Sequence, residues 1–323
     1  MNVTWARLRN FSFSKRSVQS KIFCFLHRSE CPTCPARESD LPRHNRGPIG
    51  NDSVIGRQVI IRLRRGWKRG SPGKADLLTA RQARQFFLVF QPIVAVSDGD
   101  LWGFEALMRW RHPIHGEIAP SIFIPVAEVS GLITHFGEWA LQDACRQAAS
   151  WPWAAQVSVN ISAAHIRSAA FPSMVATVLA AAGLAPARLE LEITESVRLE
   201  ASEEVAGVLE QLKDLGVWLV LDDFGTGWSS LDALRRFPFD GLKIDQSLVA
   251  DLPSNPRAVA IVRAIMQLAR ELGVYVTAEG VEDATQLRIL QDLGCERLQG
   301  FLVAVPEQRA VAPSRDLWRV PVH

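Results

Sequence analysis

The sequence predicts an α/β fold, a (β/α)₈ TIM-like barrel preceded by a basic, disordered arm. Three observations carry that prediction. From about Ala75 onward, short β-rich runs alternate with amphipathic helical stretches. Roughly eight such runs fall within about 235 residues, the size of one barrel. No glycine-rich nucleotide fingerprint follows the first run, which disfavours an open doubly wound sheet.

The expected strands are Phe87–Val94, Leu101–Arg109, Gln156–Ile161, Arg188–Thr194, Val217–Asp222, Gly241–Ile244, Val274–Glu279 and Glu296–Phe301. Between them, Gly137–Ala149, Ser196–Leu215, Pro256–Leu272 and Ala284–Leu293 carry helical periodicity. In Ser196–Leu215, Val197, Ala201, Val205, Val208, Leu209 and Leu212 recur at helix spacing, with Glu203, Glu210 and Asp214 on the other face. Repeated strand–helix alternation calls for a mostly parallel sheet with helices outside it.

The net charge of +2 conceals an asymmetry. Residues 1–75 carry 16 Lys and Arg against 4 Asp and Glu, a net +12, whereas the remainder carries 20 against 30, a net −10. The expected organisation is therefore a basic arm at 1–76, an acidic main domain at 77–312 and a tail at 313–323. Within the arm, Val59–Leu63 is the one short apolar run of strand character, and it has no obvious partner. The arm also holds Cys24, His27, Cys31 and Cys34, four soft ligands that could bind zinc but are tightly spaced for one tetrahedral site, and they read as a chance cluster in the arm. Its basic run Arg62, Arg64, Arg65, Lys68 and Arg69 reads as a solvated tail, with membrane contact as the secondary reading. The five cysteines suggest no disulfide framework. The two longest stretches free of charge, Gln147–Ile166 and Ser168–Ala187, contain prolines and loop residues. They read as buried elements and not as membrane spans. The expectation is a cytoplasmic protein that binds no nucleic-acid polymer.

The chemistry lies at the ends of the runs. Asn160, Glu192, Asp222, Asp223 and Glu279 stand at or near the C-terminal ends of successive strands, while Glu105 and Lys243 sit within theirs. In a barrel those ends converge on one face. Any one of these acids reads most simply as a helix cap, but recurrence at the same point of successive units does not. Five carboxylates gathered on one face stay ionised only around cations. Oxygen ligands without His or Cys favour Mg²⁺ or Mn²⁺ over zinc. The adjacent Asp222 and Asp223 suit two neighbouring metals, a known arrangement for phosphoester hydrolysis. His112 and His115, beside Pro113 and Gly116, read as loop histidines.

The chain resembles the EAL family of cyclic-di-GMP phosphodiesterases over about residues 78–310. The resemblance runs through FQPIV (90–94), GFEALMRWRHP (103–113), FIPVAE (123–128), VNIS (159–162), LEITES (191–196), LDDFGTGWSSL (221–231), LKID (242–245), AEGVE (278–282) and GCERLQGF (294–301), in family order. It implies a barrel with one antiparallel strand. It also implies hydrolysis of cyclic-di-GMP to linear pGpG, with two Mg²⁺ or Mn²⁺ ions in each active site. By matched motif, Glu105, Asn160, Glu192 and Asp222 hold one metal, and Asp222, Asp223 and Glu279 hold the second. A water between the metals is the nucleophile. Lys243 orients that water or assists proton transfer, and Gln299 supports the solvent network. Gln91, Arg109 and Glu105 face the substrate, Arg109 as a fork for a phosphate oxygen. Glu195 anchors the DDFGTG loop, with Glu282 as a supporting partner. A homodimer through the barrel and control by a separate sensor or regulator protein are further implications.

Two positions depart from the family pattern: Trp228 in place of the usual Tyr, and Val305 before Pro306 in place of a small or basic residue. No GGDEF-type cyclase motif or sensor domain is recognisable before residue 78. The alternative reading is an EAL module that binds cyclic-di-GMP or a partner protein without catalysis. Degenerate modules of that kind lose metal-binding positions, whereas every one is present here.

Overall fold

In the computed structural model, residues 72–194, 203–225 and 230–314 are described. Val59–Leu63, the cysteine cluster, the basic run, Glu195, Gly227 and Trp228 lie outside them.

Eight strands close into a barrel: β1 (Phe86–Ala95), β2 (Leu101–His112), β4 (Gln156–Ile161), β5 (Leu189–Thr194), β6 (Trp218–Phe224), β7 (Gly241–Ile244), β8 (Tyr275–Ala278) and β9 (Arg297–Leu298). A short strand β3 (Gly116–Ile118) hangs on the outer end of β2 as a hairpin. From β2 through β9 the barrel neighbours run parallel, and β1 is antiparallel to both β2 and β9. The expected single antiparallel strand is thus the first one. Closure follows from pairing of β1 with both its sequence neighbour and the last strand, which leaves no barrel edge unpaired.

Strand alternation sorts the residues. In β5, Leu189, Leu191 and Ile193 join the apolar core, while Glu190 and Glu192 point the other way, into the barrel interior. The outer layer includes α3 (Ile133–Ala149), α5 (Phe171–Ala182), α6 (Glu203–Asp214), α9 (Pro256–Leu272) and α10 (Ala284–Leu293). The last two match their predicted limits because their ends are chemically marked. Asn255 accepts from the Arg257 amide and Pro256 opens α9, whereas Asp283 and Gln286 form a capping box on α10. Gly273 and Gly294 end these helices in the left-handed conformation.

A smaller satellite core lies beside β1 and β2. Helix α1 (Lys74–Gln82) and helix α2 (Pro120–Val129) bury Leu77, Ala80, Phe123 and Ala127 against Phe86, Trp110, Ile118 and Phe136. The expected domain limit at residue 77 falls inside α1, because this helix packs into that core. The final strand is also shorter than expected. Of the expected strand Glu296–Phe301 only Arg297–Leu298 pair, and Gly300 packs against the loop after β8. A Cβ on Gly300 would meet the Val281 carbonyl oxygen at 2.1 Å, so only glycine fits there.

Among the described residues, no helix is long and apolar enough to cross a membrane.

Candidate active site

The parallel strands deliver their polar ends to one mouth of the barrel. Gln91 on β1 sits opposite Glu105 on β2 in the strand register, so both side chains reach the same interior. On β6, a regular pleat would send Asp222 and Asp223 to opposite faces. The register with β7 instead shifts between Leu221 and Phe224, and Asp223 adopts a positive φ of 59°. That irregularity turns both carboxylates toward one cluster. Oxygens of Asp222, Asp223 and Glu279 lie within 4.8 Å of one another, a spacing that suits a shared metal ion.

Below this trio a single buried cation serves four acids. The Lys243 ammonium lies 2.6 Å from Glu279 Oε1, 2.9 Å from Glu192 Oε1, 3.1 Å from Glu105 Oε2 and 4.0 Å from Asp222 Oδ1. Glu105 is the best satisfied: Asn160 Nδ2 donates to Oε1 at 2.7 Å, and Gln299 Nε2 donates to Oε2 at 2.6 Å. Gln299 Nε2 also donates to Gln91 Oε1 at 3.0 Å, and Gln91 Nε2 reaches the Ala304 carbonyl. Glu192 is the contrast. It is fully buried, and neither of its oxygens accepts a hydrogen bond from the described residues, although Oε1 is in ion-pair reach of Lys243.

The ionisation behaviour follows from this arrangement. Burial pushes Glu105 upward, but Lys243 and the hydrogen bonds from Gln299 and Asn160 leave it below its ordinary value. Burial, reinforced by the charges of Glu105 and Asp222, drives Glu192 well above the carboxylate range. Burial and then Glu105 raise Asp222 despite Lys243. Burial and Asp222 lift Asp223 to about 6, and burial lifts Glu279 to about 8 even beside Lys243. Burial opposes the charge on Lys243, yet its surrounding carboxylates hold its pKa well above normal. The set carries more negative charge than its own lysine balances. Buried carboxylate oxygens without donors are what a divalent cation would satisfy. The donor set of Glu105, Asn160, Glu192, Asp222, Asp223 and Glu279 therefore fits Mg²⁺ or Mn²⁺.

Two cavities open on either side of these residues. One, of about 380 Å³, is lined by Gln91, Glu105, Arg109, Glu279, Glu282 and Gln299, among others. The second, of about 640 Å³, is lined by Asn160, His165, Asp223 and Glu128, among others. Glu105, Leu107, Arg109, Asp222 and Gln246 line both. Arg109 is half-buried, its Nη1 donating to the Met108 carbonyl and its Nε 3.6 Å from the exposed Glu117 carboxylate. Glu282 is exposed at the rim of the first cavity. Its expected partner Glu195 lies outside the described residues. Val305 is exposed on the segment just before Pro306, which lines the first cavity. His112 and His115 stay out of the site, the His112 Nδ1 accepting the Ile114 and His115 amides in the hairpin turn.

Sequence reading passed over two features near the site. Gln246 borders both cavities, and only its place immediately after LKID in the sequence hints at that. His165 is buried, its Nε2 donating to the Thr134 carbonyl at 3.0 Å and its Nδ1 accepting from Ser162 Oγ at 2.8 Å, and so ties the segment after Asn160 to α3.

The comparisons with known proteins agree with this geometry. A family profile described as the EAL domain matches residues 74–306, and the chain belongs to that family. Among curated relatives, it is 43% identical over 237 residues to the bifunctional diguanylate cyclase/cyclic di-GMP phosphodiesterase MucR of Pseudomonas aeruginosa. That match covers 72% of this chain and 34% of MucR. The cyclic di-GMP phosphodiesterase NbdA of the same organism is 39% identical over 260 residues, covering 79% of this chain and 33% of NbdA. The chain thus spans about a third of the length of these relatives. Among solved structures, the MucR phosphodiesterase in complex with c-di-GMP superimposes with a TM-score of 0.69 at 43% identity, over 72% of this chain and 96% of that one. An EAL domain protein of Listeria monocytogenes gives 0.67 at 29% identity, over 73% and 94%.

Proposed function

We propose that this chain hydrolyses cyclic-di-GMP to linear pGpG with the help of two Mg²⁺ or Mn²⁺ ions. The observation that carries the reading is Glu192, a fully buried carboxylate without a hydrogen-bond donor, at the centre of four further acids and one lysine. The names and bound ligand of the relatives support the same substrate.

Glu105, Asn160, Glu192, Asp222, Asp223 and Glu279 would hold the metals, which would supply Lewis acidity and lower the pKa of water. The chain's own residues do the rest. Lys243 keeps its proton at neutral pH, so its Nζ orients the water and offsets developing negative charge, and it does not serve as a base. Gln299 holds Glu105 and Gln91 in place from the far side of the cluster. Arg109 offers a phosphate oxygen the one guanidinium that the described residues contribute to these cavity linings. In balance, water adds its oxygen to phosphorus, the P–O3′ bond breaks, and the 3′ oxygen leaves with a proton. A homodimer, a cytoplasmic location and a separate sensor or regulator belong to the same proposal.

The test is incubation of the purified full chain with cyclic-di-GMP and Mg²⁺ or Mn²⁺, followed by chromatography for pGpG, with Glu105→Ala as the control. Appearance of pGpG from wild type alone is the expected result. Binding without cleavage by wild type would make the chain a receptor, and absence of both would point to a protein-interaction role.

A further inference from the structure

We propose that Gln246 is a substrate-positioning residue whose Nε2 donates a hydrogen bond to a non-bridging phosphate oxygen of the bound dinucleotide. This rests on the reading of cyclic-di-GMP as substrate.

Gln246 is the first residue of helix α8 (Gln246–Asp251), three residues after Lys243. Its backbone is fixed on two sides. Asp245 caps the helix by accepting from the Ser247 amide at 2.9 Å. Gly280, with φ of +65°, lies so close that a Cβ there would sit 2.6 Å from the Gln246 Cβ. The loop that carries Glu279 therefore rests directly on residue 246. The same first turn of the helix receives the other acid-bearing loop, since a Cβ on Gly225 would meet Leu248 Cδ1 at 2.5 Å. The start of α8 is thus a common abutment for the loops that follow Asp223 and Glu279.

The side chain stands in the wall between the two cavities, which are also bordered by Asp222. Four carboxamides line these cavities: Gln91, Asn160, Gln246 and Gln299. Three are engaged, Asn160 and Gln299 with Glu105, and Gln91 with Gln299 and the Ala304 carbonyl. The Gln246 side chain is exposed and makes no hydrogen bond with the described residues. A dianionic ligand entering a mouth rich in carboxylates needs donors, and among the described residues Arg109 is the only arginine or lysine in either lining. His165, at the wall of the larger cavity, is held neutral by burial. A neutral amide N–H between the two lobes can bind a phosphate oxygen without competing with the acids for metal ions.

Isothermal titration and steady-state kinetics with cyclic-di-GMP and Mn²⁺ test the assignment on Gln246→Ala, Gln246→Glu, Gln246→Lys and the near-isosteric Gln246→Met. Loss of one hydrogen bond to a charged group predicts about 10-fold weaker binding for Ala and Met, seen in KM with kcat little changed. Gln246→Glu is expected to weaken binding further, whereas Gln246→Lys restores it and steepens its salt dependence. Mn²⁺ affinity and melting temperature stay at wild-type values throughout. Wild-type affinity in Gln246→Met, or equal losses in the Glu and Lys variants, would overturn the phosphate contact while leaving the enzyme assignment intact. Failure of wild type to bind cyclic-di-GMP at all would remove the parent reading and this one with it.

Discussion

Glu190 and Glu192 stand two residues apart on one strand, both point into the barrel, and they are held in opposite ways. Glu190 accepts from Ser158 Oγ at 2.7 Å and Tyr275 Oη at 2.6 Å, and pairs with Arg297 at 3.4 Å. The Arg297 guanidinium is in turn stacked between the rings of Tyr275 and Trp102, with Trp218 beyond. One layer up, Glu192 shares a single lysine with three other acids, and no group among the described residues donates a hydrogen bond to it. The lower layer is a closed account of charge and hydrogen bonds, and it plugs the barrel. The upper layer carries an excess of negative charge, which lowers stability and prepares the mouth for cations. The same residue type on the same strand thus supports the fold in one place and strains it in the other.

The contrast can be broken by substitution. Glu190→Gln leaves Arg297 buried without its counter-charge and is expected to cost about 3 kcal/mol in urea or guanidinium denaturation. Glu192→Gln resembles the protonated acid that its environment already favours. It is expected to keep or raise stability by about 1 kcal/mol while cutting pGpG formation at least about 100-fold. Equal destabilisation by the two changes would erase the distinction drawn between the layers.

Gly241→Ala probes the lower layer from its side. The added Cβ would fall 2.3 Å from the Tyr275 ring, so the ring must shift off Glu190, at an expected cost of about 1–3 kcal/mol. Tyr275 is the single tyrosine in the chain, which makes it a clean reporter. Burial and the Glu190 charge place its hydroxyl well above the usual tyrosine range. Its contribution to stability is thus complete below about pH 10, the unfolded value, and is lost as pH rises toward the folded one. Tyrosinate absorbance is expected to appear only together with unfolding. Ionisation near pH 10 in the folded protein would show that the plug is open to water.

The smallest effect is expected at the upper layer, as a function of pH. Glu279, raised to about 8, favours the folded state when protonated, so its stabilisation is present below the ordinary carboxylate value and is lost as pH rises to about 8. Asp223, raised to about 6, follows the same sign over a lower window. Metal binding requires both acids ionised and releases their protons. The increase in melting temperature given by Mn²⁺ should therefore grow from pH 5.5 to 8.5 in differential scanning fluorimetry. A gain independent of pH would place the metals elsewhere.

Much of this was legible in the sequence because strand ends are local signals. The alternation of runs, the acids at their ends and the order of the motifs defined the barrel and the upper layer without coordinates. The lower layer was not legible. Arg297 sits within the GCERLQGF motif, yet its partner Glu190 is 107 residues away, and no periodicity links an arginine to a distant acid and three aromatic rings. Gln246 was missed for a related reason, since its importance comes from Gly280 pressing on it from another loop. The over-extended last strand shows the converse error: apolar residues after Arg297 continue the pattern, but Gly300 obeys a steric demand that pattern cannot register.

The reversed direction of β1 has an architectural consequence for how this domain is wired to anything placed before it. Phe86 pairs with Trp110 at the outer end of β2, and Gln85 ties to Trp110 and Arg111 there, so the polypeptide joins the barrel at its catalytic mouth. Had the first strand run with the others, that junction would lie at the plugged end. A module fused ahead of Lys74 would thus pull on the rim itself, and the shortest mechanical route from such a module to the acids runs through helix α1 and the satellite core, without crossing the barrel.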